Sequence, residues 1–275
     1  RLLVWDLVKA ERDGEILVEV SDSVRESLIA SMDNSELLAA AGTLATDEIA
    51  ELGTRNVGEM AAAVAKGALM GARGNSGVIL SQLWRGFSRG LHGAEIMDGP
   101  ALVKGLVEAR DVAYKGVVRP VEGTILTVAK DVAAAAELAL QETHDPVEIL
   151  SRVVAAADVS VQNTPNLLPV LKEAGVVDSG GKGLFFVLEG MLRYFKGQPL
   201  DVAIGGVRPL AAMDLANTME TIEPGQDYEV VIDFRPYRPL DLETFYSTLL
   251  EMGTSIQVGE GDGMYRMHIH VPTEK

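Results

Sequence analysis

The stretch GALMGARGNSGVILSQLWRGF, residues 67–87, decides the fold. An Ala-rich helix over Gly58 to Met70 breaks at Gly71-Ala72-Arg73-Gly74-Asn75-Ser76-Gly77, and a second helix follows at once. Ile79, Leu83, Phe87 and Leu91 then recur every fourth residue, the apolar stripe of a helix packed on a core. Asn75 or Ser76 is the natural N-cap. The pattern repeats outward. Pro100 to Val118 carries Leu102, Leu106, Ala109, Ala113 and Val117 on one face. Thr124 to Leu140 is another helix. Asp145-Pro146, an N-cap before a proline in the first turn, starts a helix to about Val161. Thr164-Pro165 starts a short one in the same way, ended by Gly175. Gly183 to Phe195 is the last, closed by Gly197. The alanines let these helices approach closely. The predicted fold is mainly α, an antiparallel helical bundle or barrel over residues 51–200.

Both flanks differ from this region. Residues 1–50 read as a divergent N-terminal segment, with a short strand at Ile16 to Val20 and a helix from Ser23 to Ala41. After Gly197 the period shortens. Tyr228 to Phe234 has the β-branched run of a strand, Asp241 to Met252 reads as a capped helix, and Met264 to Val271 alternates as a strand after a turn at Gly259 to Gly263. A strand–helix–strand order predicts a partial α/β unit over residues 201–275, with the boundary in 198–224. The chain opens at Arg1 and stops at Lys275 just after a strand, which predicts a piece of a longer protein.

Composition narrows the function. At 47% hydrophobic and 23% charged residues, the 275-residue chain can bury a sizeable core. A formal net charge of −16 excludes non-specific binding to nucleic acid, which needs clustered Lys and Arg. A bound polyphosphate would rely on backbone N–H groups and cations. There is no cysteine, hence no disulfide and no thiolate catalysis, which suits a reducing, cytoplasmic setting. No apolar run is long enough to span a bilayer.

Three glycine-rich loops each feed a helix start. The first is Gly71 to Gly77, whose glycines admit a ligand to the backbone and whose last residues open a helix favouring a phosphate. The plain alternative is a tight helix–helix turn. It is not a Walker loop, lacking the spacing and the terminal lysine. The second is Pro120 to Leu126, with Thr124 able to cap, and the third is Val176 to Gly183. Each alone reads more readily as a cap; three at one end of a bundle would make a site. In the tail, His268 and His270 share one face of a strand with Arg266. Two imidazoles there could chelate zinc if other ligands joined, and the plain reading is the polar face of an edge strand. His92 and His144 read as surface or loop histidines.

GALMGARGNSGVILSQLWRGF (67–87), RPVEGTILTVAKDVAAAA (119–136) and NTPNLLPVLKEAGVVDSGGKGL (163–184) resemble, in order, the signature blocks of the dihydroxyacetone kinase L-subunit family, in its fatty acid kinase A branch. The resemblance covers about residues 55–197. It implies an α-helical barrel holding ATP at one end, phosphates over helix N-termini. By motif, Asn75, Ser76 and Gly77 would contact phosphates, Gly123 and Thr124 would lie by the nucleotide, and Asp178, Ser179 and Gly180 would complete the pocket. No side chain stands out as a catalytic group, which suits direct phosphoryl transfer by positioning.

The family's Mg-binding block, of the form D-G-D-T-G-T-N, is not found. Ungapped it falls on Ser31 to Leu37, where Asp33 alone keeps an acidic residue at a metal-ligand position. Asp22, Asp33 and Glu36 are substitute candidates, each of which reads more readily as a solvated helix-face carboxylate. The family's middle domain carries an H-x-H zinc strand completed by a cysteine from an earlier strand; here His268 and His270 match, and Asp227 stands near the missing cysteine's place. The expected function is an ATP- and Mg-dependent phosphotransferase acting on a fatty acid presented by a separate carrier protein, or on dihydroxyacetone (glycerone). The alternative is a nucleotide-binding relative without turnover. The acceptor and the oligomeric state, a homodimer included, stay open.

Overall fold

Helix caps set the architecture. The computed structural model describes Thr54 and residues 56–72, 74–198, 228–261 and 263–272. Among them are α1 (Val57–Gly71), α2 (Gly74–Gly90), α3 (Gly99–Lys115), α4 (Ile125–Leu140), α5 (Pro146–Leu167), α6 (Pro169–Ala174) and α7 (Ser179–Phe195). The side chains of Asn56, Asp98, Thr124, Asp145 and Asp178 each accept a backbone N–H from the first turn of the helix they precede. These bonds satisfy donors that a helix start leaves without intrahelical partners. Consecutive long helices pack side by side, and α7 returns against α4 and α5. The result is the antiparallel bundle the stripes predict, with fully buried Leu102, Leu126, Ile149 and Val153 at its centre. The expected segments in residues 1–50, with Asp22, Asp33 and Glu36, lie outside the described residues.

The α2–α3 contact is made of backbone. A methyl group added at Gly86 would stand 2.3 Å from the Glu108 carbonyl oxygen and 2.5 Å from Ala109 Cα. At Gly90 it would meet Gly105 Cα at 2.6 Å. Alanine at position 86 gains about 1 kcal/mol of helix propensity. Neither backbone can yield cheaply, and overpacking costs about 1–3 kcal/mol. Gly86→Ala is therefore expected to lower the unfolding free energy by up to roughly 2 kcal/mol, read as a lower melting temperature; a stabilised variant would mean that the helices are free to separate.

Four boundaries differ from the sequence expectation. Helix α5 does not stop near Val161 but continues through Pro165 to Leu167. Proline removes the N–H that would bond the Val161 carbonyl. Here the Thr164 hydroxyl donates to that same oxygen at 2.7 Å, so the ladder survives without the missing donor. Thr164 is thus inside α5, and the short α6 starts at Pro169 instead. Helix α7 begins at Ser179, four residues before the expected Gly183, so Ser179 and Gly180 belong to its first turn. Helix α2 begins at Gly74, whose left-handed φ of 59° turns the chain sharply, so Asn75 and Ser76 lie inside the helix and do not cap it.

The C-terminal part is an antiparallel sheet of order β1-β3-β2, formed by β1 (Tyr228–Phe234), β2 (Thr254–Gly261) and β3 (Met264–Val271), with α8 (Leu242–Met252) between β1 and β2. Leu249 of α8 packs on Ile256, Val258, Met267 and Ile269. The expected turn at Gly259 to Gly263 is mostly strand: Gly259 and Gly261 are in β2. Their glycines mark close approach, since a methyl group at Gly259 would meet Gln82 Nε2 at 2.8 Å and one at Gly261 would meet Leu69 Cδ2 at 2.8 Å. β3 is the central strand, which corrects the edge-strand reading of His268 and His270. Every described residue lies in one unit, Asn34–Lys275.

Candidate functional site

The starts of α2, α4 and α7 meet at Gly180. A methyl group placed there would lie 3.2 Å from Ser76 Oγ, 3.3 Å from Asp178 Oδ2 and 3.4 Å from Ile125 Cβ. One residue further, at Gly181, it would meet Val128 Cγ2 at 2.8 Å. The absence of side chains at these two positions lets α7 settle onto the first turn of α4. Three helix starts brought this close would add the partial positive charge of their macrodipoles. That is how an acidic chain can assemble a local anion site.

Asp178 ties two of these ends together. Its carboxylate accepts the Gly181 N–H at 2.6 Å and also that of Ile125. Burial pushes the Asp178 carboxyl above its ordinary value, and the two backbone donors oppose that shift. Its own N–H donates to Thr164 Oγ1 at 3.0 Å, so the hydroxyl that completes α5 also holds the loop before α7.

The second loop turns at Gly123, where φ is 85° and a methyl group would lie 2.7 Å from Leu168 Cβ and 3.0 Å from the Thr164 carbonyl oxygen. The Gly123 N–H donates to Thr127 Oγ1 at 2.8 Å. Thr127 donates onward to Glu122 Oε2 at 2.7 Å, which also receives Lys130 Nζ at 2.6 Å. Lys130, then Thr127, hold the Glu122 carboxyl below its usual range. Thr124 donates to the Val121 carbonyl oxygen and accepts the Leu126 N–H, so its hydroxyl caps α4 as expected. Ser76 is half-buried and Gly77 buried, while Asn75 and Ser179 are exposed. Of the residues expected to form the site, Ser76 and Asp178 each come close to Gly180, and Gly123 and Thr124 directly precede Ile125, which approaches Gly180 as well. Sequence reading had Ile125 within the second loop but missed Thr164 and Leu168, because an apolar residue and an apparent cap give no sign of lining a polar site.

An apolar cavity of about 50 Å³ lies within the bundle, lined by Leu83, Trp84, Phe87, Leu106, Val132 and Leu188 among others. Its lining is apolar and offers no partner for phosphate oxygens, so the helix starts remain the candidate site.

On the sheet, His268 is buried and its Nδ1 lies 3.1 Å from Glu229 Oε1. The two are close but not aligned, and neither imidazole nitrogen makes a hydrogen bond. The contact still holds the Glu229 carboxyl low, against burial. Gln257, the register partner of His268, also has an unpaired buried Oε1. The His270 ring lies 4.9 Å from that of His268, and burial lowers its pKa. Asp227 is outside the described residues. Two imidazoles and a carboxylate are the right donor types for zinc. As placed they do not converge: among the described residues no group of three His, Cys, Asp or Glu is arranged to hold a metal ion. No helix there is long and apolar enough to cross a membrane.

A family model described as the DAK2 domain matches residues 33–193. Protein YloV of Bacillus subtilis is 41% identical over 233 residues, covering 81% of this chain and 42% of that protein. An uncharacterized protein of Staphylococcus haemolyticus is 39% identical over 247 residues, 84% of this chain and 43% of its own length. One from Staphylococcus saprophyticus is 40% identical over 230 residues, 81% and 41% respectively. The chain spans less than half the length of these curated relatives.

Proposed function

Because the chain belongs to the DAK2 domain family, whose members are related to kinases, we propose that its helical bundle is the ATP-binding domain of a phosphotransferase. The observation that supports this is the meeting of three helix starts at Ser76, Ile125 and Gly180. Backbone N–H groups of the first turns, with the Ser76 hydroxyl, would bind the β- and γ-phosphates, and Gly123 and Thr124 would border the nucleotide. The reaction in this reading is acyl-phosphate formation. A fatty acid carboxylate oxygen, presented by a separate carrier protein, attacks the γ-phosphorus; the bond to the β–γ bridging oxygen breaks, and ADP leaves. The Arg-Gly-Asn-Ser-Gly wording at Arg73 to Gly77 and the sheet that follows the bundle favour this acceptor over dihydroxyacetone. The chain's own contribution is to position and to neutralise charge.

Magnesium would supply further neutralisation of the phosphates. Asp178 is committed to two backbone N–H groups, and Asp33 is the carboxylate that the family motif offers. A zinc ion at His268 and His270 would need donors beyond those described. The weak carboxylate complement favours a second reading, a nucleotide-binding relative without turnover.

Calorimetric titration with a non-hydrolysable ATP analogue, with and without Mg, tests both. Mg-dependent binding is expected for the kinase. Binding that ignores Mg would favour the second reading, and no binding under either condition would refute both.

A further inference from the structure

We propose that Arg266 is a positioning residue for the nucleotide, holding from the sheet the segment that presents the first turn of α2. This rests on the ATP-site reading above. The last carbonyls of a helix have no intrahelical partner and carry its negative dipole end. Helix α1 has no basic residue in its own last turn. The cation comes from β3, nearly two hundred residues away. Arg266 Nη1 donates to the carbonyl oxygens of Leu69 at 2.7 Å, Met70 at 3.0 Å and Ala72 at 3.0 Å.

The other edge of the guanidinium is locked. Nε and Nη2 donate to the two carboxylate oxygens of Asp233 at 2.6 and 2.5 Å. Asp233 is the register partner of Arg266 on β1, so two strands fix the fork before it reaches the helix. The Arg266 side chain is 7% exposed, and Ala72 is fully buried.

Ala72 is the link to the site. A methyl group at Gly77 would stand 3.4 Å from the Ala72 carbonyl carbon, so Ala72 abuts the first turn of α2. Gly77 is one residue from Ser76, which meets Gly180. The sheet is itself seated on the bundle: the Val258 N–H donates to the Gly116 carbonyl oxygen at 3.3 Å, Gln257 bridges Val117, and Glu260 pairs with Arg85. The sheet is therefore a brace whose tip is Arg266.

The test uses the full chain with Arg266→Lys, Asp233→Asn and, as a stability control, Leu249→Ala in α8, which packs on the sheet. Two quantities are read: affinity for the non-hydrolysable ATP analogue, and amide hydrogen exchange at residues 74–80. A lysine is a point charge that cannot clasp Asp233 and cap three carbonyls at once. Arg266→Lys is expected to weaken binding about tenfold and to speed exchange at 74–80. Asp233→Asn should show a smaller change in both, and Leu249→Ala should melt earlier with affinity unchanged. Unchanged exchange at 74–80 and unchanged affinity in Arg266→Lys would overturn the proposal. So would an equal loss of affinity in Leu249→Ala, which would reduce Arg266 to simple glue. If the wild-type chain binds no analogue, faster exchange in Arg266→Lys upholds the brace while the ATP reading fails.

Discussion

Gly180→Val is expected to weaken binding of the ATP analogue by about 100-fold while leaving the helices folded. The argument is spatial. Even the first carbon of a side chain at this position would lie 3.2–3.4 Å from Ser76 Oγ, Asp178 Oδ2 and Ile125 Cβ, which is tight but tolerable. The two further carbons of valine have no such room. They would enter the space in front of three first turns, where phosphate oxygens would sit, or push α7 away from α2. Either displaces donors by a good fraction of an ångström. Gly190→Ala is the reference, in the same helix but with nothing within 4 Å of the added carbon. It should stabilise slightly through helix propensity and leave affinity unchanged. Calorimetric titration of both variants decides; a Gly180→Val protein that binds like wild type would move the nucleotide away from these helix starts.

The second large effect concerns stability. Gly123→Ala is expected to cost roughly 2–5 kcal/mol, the sum of about 1–2 kcal/mol for a left-handed residue and about 1–3 kcal/mol for overpacking. The clash is with Leu168 Cβ at 2.7 Å and with backbone of residues 164 and 168 at 3.0 Å, none of it the end of a flexible side chain. Gly175→Ala separates the terms, because Gly175 has φ 65° with nothing within 4 Å. It should lose the backbone part alone. Urea unfolding with matched slopes measures both. Equal losses at the two positions would mean that Leu168 yields, and that the wall over the second loop is soft.

Much of the bundle was legible because most of its long helices announce themselves twice, by an apolar stripe and by a cap. Asp98, Thr124 and Asp145 cap the helices that the sequence led one to expect. The reading failed where one residue type has two uses. Thr164-Pro165 has the wording of a helix start, yet the hydroxyl replaces the donor that proline lacks, and the helix runs on. Gly259 and Gly261 have the wording of a turn, yet they sit in a strand pressed against Gln82 and Leu69. The His268 strand looked peripheral because alternation reveals a face but not a place in the sheet. The loops at Ser76, Gly123 and Asp178 were visible one by one. Their meeting, and the reach of Arg266 to Ala72, are long-range facts that no local pattern encodes.

The contact of α2 with α3 has a consequence for how this chain can change over generations. At Gly86 and Gly90 there is no smaller residue to exchange for glycine, so every single substitution adds volume where backbone already touches backbone. Drift at these positions is closed in one direction and penalised in the other. A viable replacement must arrive with a second change that moves a whole helix, and moving α2 would carry the start of that helix, with Ser76, away from Gly180. Descendants of this sequence can therefore vary freely along the exposed helix faces while this seam holds them to the same geometry at the site.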